Sequence, residues 1–238
     1  MDLDDIFADY GDGPLDDQYF DFNLQLIKES VEGASVLELS TNLRSTLALA
    51  RIATTVTVVD GSGAKLDALA GLIRANDIKN VRLIRSDFFD FLSTNSEKFD
   101  EIILFRTLEH IEQRADLLSL IAKQMLGGSF LTVSVPNALS LHRRLGVQMG
   151  LLKDPYALTE ADQRKGHVVN LDQILLNSAL ETAGLKILWL VGSFLKLVPD
   201  SELVSSGFYT DERLKAMFEL SAGVDPDLCA ELVARCHL

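Results

Sequence analysis

The hydrophobic positions of this chain fall into short continuous runs that alternate with amphipathic stretches. Residues 35–39 (SVLEL) and 55–60 (TVTVVD) are apolar runs, and the segment between them, at about 43–52, has helical spacing. Runs that are apolar at nearly every position are typical of parallel strands covered by helices on both faces. The pattern therefore predicts a strand, a tight turn, a helix and a second parallel strand.

The same alternation continues to about residue 200. Five more strands are predicted, at 81–85, 99–105, 129–135, 185–191 and 194–198. Amphipathic helices are predicted at 19–29, 65–75, 117–125 and 171–183. We expect an α/β fold with a seven-stranded sheet, in which Gly192 and Ser193 form the turn of an antiparallel hairpin between the last two strands.

Segments outside this alternation suggest how the chain is organised. Residues 1–30 are expected to form N-terminal lid helices, and residues 31–200 the central domain. Residues 137–166 are rich in Leu, Arg, Gly and Met and predict a helical roof inserted after the fifth strand. Residues 201–238 are expected to form a C-terminal helical tail.

Composition and charge narrow the possible partners. The chain has 238 residues and a net charge of −13, with no Lys or Arg before Lys28. This balance opposes binding to nucleic-acid phosphates or to an anionic membrane. No apolar run is long enough to span a membrane and no signal peptide is recognisable, so a cytoplasmic protein is expected. Cys229 and Cys236 lack the spacing of a redox pair or a zinc site, which predicts free thiols in the core.

Polar residues follow the predicted strands at their carboxyl ends, where open α/β sheets bind ligands. Asp60 ends the second strand, and its two oxygens can accept both hydroxyls of a ribose. Asp87 can accept the exocyclic amine of an adenine, with Phe88 against the ring. These features predict a site for an adenosine-containing cofactor. The full set of expected cofactor contacts is Glu38, Ser40, Thr41, Asn42, Asp60, Gly61, Ser62, Asp87, Phe88, Arg106, Thr107 and Leu108.

The fragments VLEL, VTVVDGS, IRSDFFDF and FDEIILFRTLEHI resemble, in order and spacing, the class I S-adenosylmethionine (SAM) dependent methyltransferases. The fragment VPNALSLHRRLG, with the later Gly166-His167, resembles a bacterial branch that acts on small metabolites. The resemblance covers about residues 30–200. It implies a Rossmann-like methyltransferase sheet, SAM as co-substrate, and a small-molecule acceptor in secondary metabolism.

The first motif departs from the family pattern. The family has a glycine-rich turn after the first strand, whereas this chain has Ser40-Thr41-Asn42-Leu43-Arg44. Glycine permits close backbone approach and positive φ, and asparagine replaces it at some cost. Arg44 could crowd the amino-acid end of SAM, pair with its carboxylate, or point to solvent. The loss of the glycines also leaves open a protein that has lost its site.

Candidate catalytic and substrate-binding residues lie in the segments expected to roof the pocket. His142 and His167 could act as a base, because the pKa of histidine ordinarily lies near neutral pH. Tyr19 could face the sulfonium, since cations are attracted to aromatic faces. Asn137 and Tyr156 are expected to contact the substrate. No metal-ligand spacing stands out, so no metal is expected.

Three functions remain open from the sequence. Methyl transfer to a small acceptor is the family default. Intramolecular cyclisation of SAM, as in azetidine-2-carboxylate synthases, would release methylthioadenosine and needs no acceptor. The third is a non-catalytic SAM-binding protein. Either a monomer or a homodimer is compatible with the sequence.

Overall fold

The computed structural model describes residues 15–207 and 209–238, so residues 1–14 of the predicted lid lie outside the described part. Within it, seven strands form one mixed sheet in the order β3-β2-β1-β4-β5-β7-β6, which confirms the α/β, Rossmann-like fold class. The strands are β1 Ser35–Leu39, β2 Thr55–Asp60, β3 Val81–Arg85, β4 Phe99–Phe105, β5 Met125–Pro136, β6 Lys186–Ser193 and β7 Glu231–His237. The described α-helices are α1 Asp16–Val31, α2 Leu43–Ala50, α3 Gly63–Ala75, α4 Phe88–Thr94, α5 Arg114–Gln124, α6 Leu141–Gln148, α7 Glu160–Arg164, α8 Gln173–Thr182, α9 Asp200–Ser205 and α10 Asp211–Ser221.

The predicted parallel pair of β1 and β2 is present, in a register that aligns Ser35 with Thr55 and Leu39 with Val59. Helices cover both faces of the sheet, each over a separate apolar cluster. One cluster lies under α5 and α8 and includes Leu118 and Leu176, and the other lies under α1 and α2 and includes Ile27. Burial of both faces explains why these strands are apolar at successive positions.

The predicted C-terminal helical tail is wrong in its last part. Two helices, α9 and α10, are present, but Glu231–His237 is strand β7, inserted antiparallel between β5 and β6. The residues Glu, Leu, Ala and Arg in this segment favour helices when considered alone. Here the hydrogen-bonding edges of two neighbouring strands outweigh that local preference, and β7 is buried from Glu231 to Cys236.

The predicted hairpin at Gly192 and Ser193 is also wrong, because both residues belong to β6 and pair with β7. Phe194 follows with φ 63°, which ends the strand, so residues 194–198 do not form a strand. Gly192 serves close packing here and not a turn. A Cβ atom at this position would lie 2.4 Å from Sγ of Cys229.

The segments expected to form a lid and a roof contain helices, while their roles stay predictions. The described part of residues 1–30 lies largely in α1, and residues 137–166 contain most of α6 and α7. Cys229 and Cys236 are both buried and free. Among the described residues, no helix has both the length and the apolar character needed to cross a membrane.

Candidate active site

The turn that follows β1 carries Ser40, Thr41 and Asn42 where the family has glycines. Ser40 has φ 81°, a left-handed conformation that costs a residue with a Cβ about 1–2 kcal/mol. Asn42 caps the next helix, α2, because its side-chain oxygen accepts hydrogen bonds from the backbone N–H groups of Arg44 and Ser45. The chain therefore tolerates the missing glycines through one strained residue and one strong N-cap.

Glu38 is buried beneath this turn. Its carboxylate accepts hydrogen bonds from the hydroxyls of Ser45 and Thr46, both at 2.5 Å. Burial, together with the nearby carboxylate of Asp60, raises the pKa of Glu38 to about 7, although the two hydroxyls oppose that shift. A proton on Glu38 is thus held more tightly in the folded protein than in the unfolded chain.

The raised pKa of Glu38 predicts a pH dependence of stability. Below about pH 4.5 the group is protonated in both states, and its stabilising contribution is fully present. As the pH rises towards 7, the unfolded chain releases the proton first, so the free energy of unfolding falls, by at least about 1 kcal/mol. Urea unfolding of the wild type and of Glu38→Gln is measured from pH 4.5 to 7.5. The difference in free energy of unfolding, wild type minus variant, should fall over this range. A difference that does not change with pH would contradict the assignment.

Asp60 links the turn to the strand beside it. Its Oδ2 accepts the backbone N–H of Thr41 at 2.7 Å, and its Oδ1 accepts that of Ser62 at 2.8 Å. The side chain is buried, and each oxygen retains a second lone pair that can accept a ribose hydroxyl. Asp60 therefore holds the two ligand-binding turns together, in addition to its predicted contact with the cofactor.

Arg44 lies against α1. Its guanidinium hydrogen-bonds Asp21 through Nε at 3.1 Å and pairs with it through Nη2 at 2.6 Å, and it lies 3.6 Å from Asp17. The side chain is 57% exposed. Arg44 thus points outward from the turn and ties it to the lid helix.

The residues expected around the adenosine lie at the ends of β2 and β3. Asp87 is exposed and caps α4 by accepting the backbone N–H groups of Phe89 and Asp90. Phe88 is partly buried and packs against the apolar cluster that lies under α5 and α8. Ser62 caps α3, and Gly61 precedes it in the same turn.

The end of β4 carries Arg106, with φ 47°. Its guanidinium lies 3.4 Å from Glu231 of β7 and 3.8 Å from Asp16 of α1, and it stacks 5.0 Å over the ring of Tyr19. Tyr19 is fully buried, in edge contact with Phe194 and Phe218, and burial raises the pKa of its phenol well above the ordinary value. The cations that Tyr19 meets in this structure are therefore Arg106 and Lys196, whose Nζ lies 5.9 Å from the ring centroid. The neighbouring Thr107 and Leu108 are buried.

Two spaces of very different size lie at this edge of the sheet. The space under the first turn, between Phe20, Phe105 and residues 38–42, has a volume of only about 10 Å³, room for about one water molecule. A second cavity of about 690 Å³ lies under the roof, and its lining includes Tyr19, Arg106, Asn137, His142, His167 and Lys196. Its volume lies within the usual range of small-molecule sites. Phe20 and Phe105 line the smaller space, and their chain neighbours Tyr19 and Arg106 line the larger one.

The two candidate bases line the larger cavity. Burial, together with the positive charge of Lys196, lowers the pKa of His142 to about 2. Burial lowers that of His167 to about 4 even though Asp162 lies nearby. Both imidazoles are neutral at pH 7, so each can hydrogen-bond an acceptor molecule but is a weak proton acceptor in this arrangement.

The two predicted substrate contacts differ in position. Asn137 is buried and lines the larger cavity, while its amide donates to the backbone carbonyls of Pro226, Asp227 and Cys229. The hydroxyl of Tyr156 donates to Asp172 at 2.7 Å, and this residue lies outside the described cavity lining. The structure brings Asn137, but not Tyr156, to the wall of the cavity.

Sequence reasoning missed several residues of this region. Glu231 holds Arg106 but lies in the segment expected to be helical, and Lys196 lies in the expected strand at 194–198. Glu109 is 1% exposed, and burial raises its pKa to about 8. The sequence signal that could have found Glu109 is its place directly after β4, where polar residues of this fold meet ligands.

Comparison with known proteins agrees with the fold. A family model described as a methyltransferase domain matches residues 14–190, so the chain belongs to this methyltransferase family. No curated protein sequence matches the chain. The chain is similar to a SAM-dependent methyltransferase from Archaeoglobus fulgidus, with 17% identity, 97% of each chain covered and a TM-score of 0.61.

Two other solved structures are similar at the level of the fold. One is the N-methyltransferase NodS from Bradyrhizobium japonicum in complex with S-adenosylhomocysteine, with 15% identity, 98% of this chain and 91% of that chain covered, and a TM-score of 0.59. The other is the [4+2]-cyclase SpnF, with 14% identity, coverage of 93% and 80%, and a TM-score of 0.61. The resemblance inferred from the strand-end motifs is thus confirmed as family membership.

Proposed function

We propose that this protein transfers a methyl group from SAM to a small acceptor held in the 690 Å³ cavity. The observation that carries the proposal is the position of this cavity at the carboxyl ends of β4 and β5, where Arg106, Pro136 and Asn137 line it, on the same edge of the parallel sheet as Asp60 and Asp87. SAM supplies an activated methyl group on its sulfonium. The chain's own residues bind and orient the two reactants, and positioning alone contributes a large part of the acceleration of such a displacement.

The adenosine half of SAM fits the residues at the ends of β2 and β3. Asp60 keeps acceptor capacity for the ribose hydroxyls, and the exposed Asp87 uses Oδ1 for its helix cap. The methionine half fits the first turn poorly, because the space there is about 10 Å³. We infer that the methionine half reaches the larger cavity, whose wall carries Arg106.

We propose that the acceptor carries an acidic group, because basic side chains line the cavity and can donate hydrogen bonds to it. They are Arg106, Arg143, Arg164, Lys165 and Lys196. Most of them already pair with carboxylates: Arg106 with Glu231 and Asp16, Arg143 with Asp162, Lys165 with Asp16, and Lys196 with Asp200. His142, His167 and Tyr19 remain the proposed catalytic residues, and Asn137 remains a proposed substrate contact on the cavity wall. Tyr156, which lies outside the cavity lining, contacts a substrate only where the substrate extends beyond the cavity. A cytoplasmic role in secondary metabolism, without nucleic-acid or membrane partners, remains part of the proposal.

Cyclisation of SAM is the second candidate, and the closed first turn favours it. Arg44 holds α1 over this turn through ion pairs with Asp21 and Asp17. A turn closed in this way suits a SAM molecule whose methionine half is bent back on itself, with no separate acceptor molecule. The third candidate, a protein that binds SAM without turnover, needs only the Asp60 site.

A time course on purified protein distinguishes the three functions. The protein is incubated with SAM, with and without a panel of small carboxylic acids, and products are followed by mass spectrometry. We expect adenosylhomocysteine with an acceptor, and a loss of rate of tenfold or more in His142→Asn but not in the control His237→Asn. Methylthioadenosine released without an acceptor would replace the proposal by the cyclase. Bound SAM with neither product would replace it by the binding protein.

A further inference from the structure

Three side chains that can bind metals meet beside the cavity. Glu109 and His110 belong to the 3₁₀ turn Leu108–His110 after β4, and His167 closes the roof segment. Their ligand atoms all lie within 4.8 Å of one another. The backbone N–H of Val168 donates to the carbonyl of Glu109 at 2.9 Å, which fixes the two segments against each other. The cluster is therefore a built feature of the fold.

Glu109 is the observation that points to a cation. Its side chain is 1% exposed, and among the described residues no other side chain hydrogen-bonds either carboxylate oxygen. The positive charges of Arg106 and Lys165 act on it from nearby. Proteins normally pair buried carboxylates directly or use them to bind metals. No role in cofactor binding accounts for this residue. A bound cation would neutralise it.

The two histidines have the surroundings of metal ligands. Among the described residues, the ring nitrogens of His167 have no hydrogen-bond partner, and its Nδ1 lies 3.7 Å from the Asp162 carboxylate. The His110 ring lies near the backbone of Gly166 and meets His167 edge-on, with the ring centroids 4.8 Å apart. Metal-binding histidines are commonly oriented in this way, by a carboxylate or a backbone carbonyl at the second nitrogen.

We propose that Glu109, His110 and His167 form a binding site for a divalent first-row transition ion. Two imidazoles and one carboxylate match the ligand sets of zinc and non-haem iron sites, whereas Mg²⁺ and Ca²⁺ prefer oxygen ligands. Because His167 also lines the 690 Å³ cavity, the ion lies at the cavity wall, with three protein ligands and room for a further ligand.

Binding of Zn²⁺ to the full chain, without SAM, tests the site independently of the proposed reaction. After chelator treatment and dialysis, calorimetry is expected to give one Zn²⁺ per chain. Glu109→Gln and His167→Asn should each weaken binding at least tenfold, and the control His237→Asn should not. Excess Mg²⁺ should not compete. Co²⁺ in place of Zn²⁺ should give visible absorption bands that both cluster variants lose.

The variants remain informative even if they alter folding. Glu109→Gln keeps the shape of the side chain, and burial raises the pKa of Glu109 to about 8, so the metal-free variant should melt no lower than the metal-free wild type near pH 7. Zn²⁺ should raise the melting temperature of the wild type and not that of Glu109→Gln. Equal Zn²⁺ affinity in wild type and Glu109→Gln, the absence of stoichiometric Zn²⁺ binding, or equal binding of Mg²⁺ would overturn the proposal.

Discussion

Replacing Arg235 by methionine should lower the free energy of unfolding by about 3–5 kcal/mol. Arg235 of β7 forms a two-point ion pair with Glu101 of β4, at 3.0 and 2.8 Å, and both side chains are buried. Its guanidinium also donates to Thr132 and stacks over Phe130 at 4.1 Å. Without Arg235, Glu101 becomes an unpaired buried charge at the centre of the sheet. Urea unfolding followed by circular dichroism measures the loss.

Two further variants identify the cause of this loss. Glu101→Gln combined with Arg235→Met removes both charges, and it should recover much of the stability lost in the single variant, since the cost lies mainly in the unpaired carboxylate. Arg144→Met, at an exposed roof position, should change stability by less than about 0.5 kcal/mol. A double variant as unstable as Arg235→Met would instead assign the effect to lost packing against Phe130.

Replacing Asp60 by alanine should have two effects that can be separated. The backbone N–H groups of Thr41 and Ser62 lose their acceptors, which should lower stability by about 2–5 kcal/mol. On the proposed function, the ribose hydroxyls of SAM also lose theirs, so calorimetry should show SAM binding weakened tenfold or more. The affinity is measured at a temperature where circular dichroism shows the variant to be folded.

Asp90→Ala is the matched control for Asp60→Ala. Asp90 is an exposed carboxylate of α4, close along the chain to Asp87. Its replacement by alanine should leave both the free energy of unfolding and the SAM affinity nearly unchanged. A folded Asp60→Ala protein that binds SAM as tightly as the wild type would contradict the ribose assignment. It would leave Asp60 with a purely structural role between the two turns.

Much of the cofactor side of the site could be predicted from local sequence. Asp60 and Asp87 lie at the ends of apolar runs that are readily predicted as strands. Parallel strands bring their carboxyl ends to the same edge of the sheet, so both residues are expected there. The space around these residues could not be predicted. That the turn at Ser40 encloses about 10 Å³ while the roof encloses about 690 Å³ depends on how α1 and α6 pack against the sheet.

The sequence by itself determined β1 to β5, their parallel arrangement and the class of protein, because continuous apolar runs and the polar residues that end them are local signals. Only the tertiary structure decided that Glu231–His237 forms a strand. Its residues favour a helix in isolation, but the open edges of β5 and β6 provide hydrogen bonds on both sides of a strand. The same packing buries Glu231 against Arg106 and Arg235 against Glu101. Such pairings join residues far apart in the chain, and no local pattern encodes them.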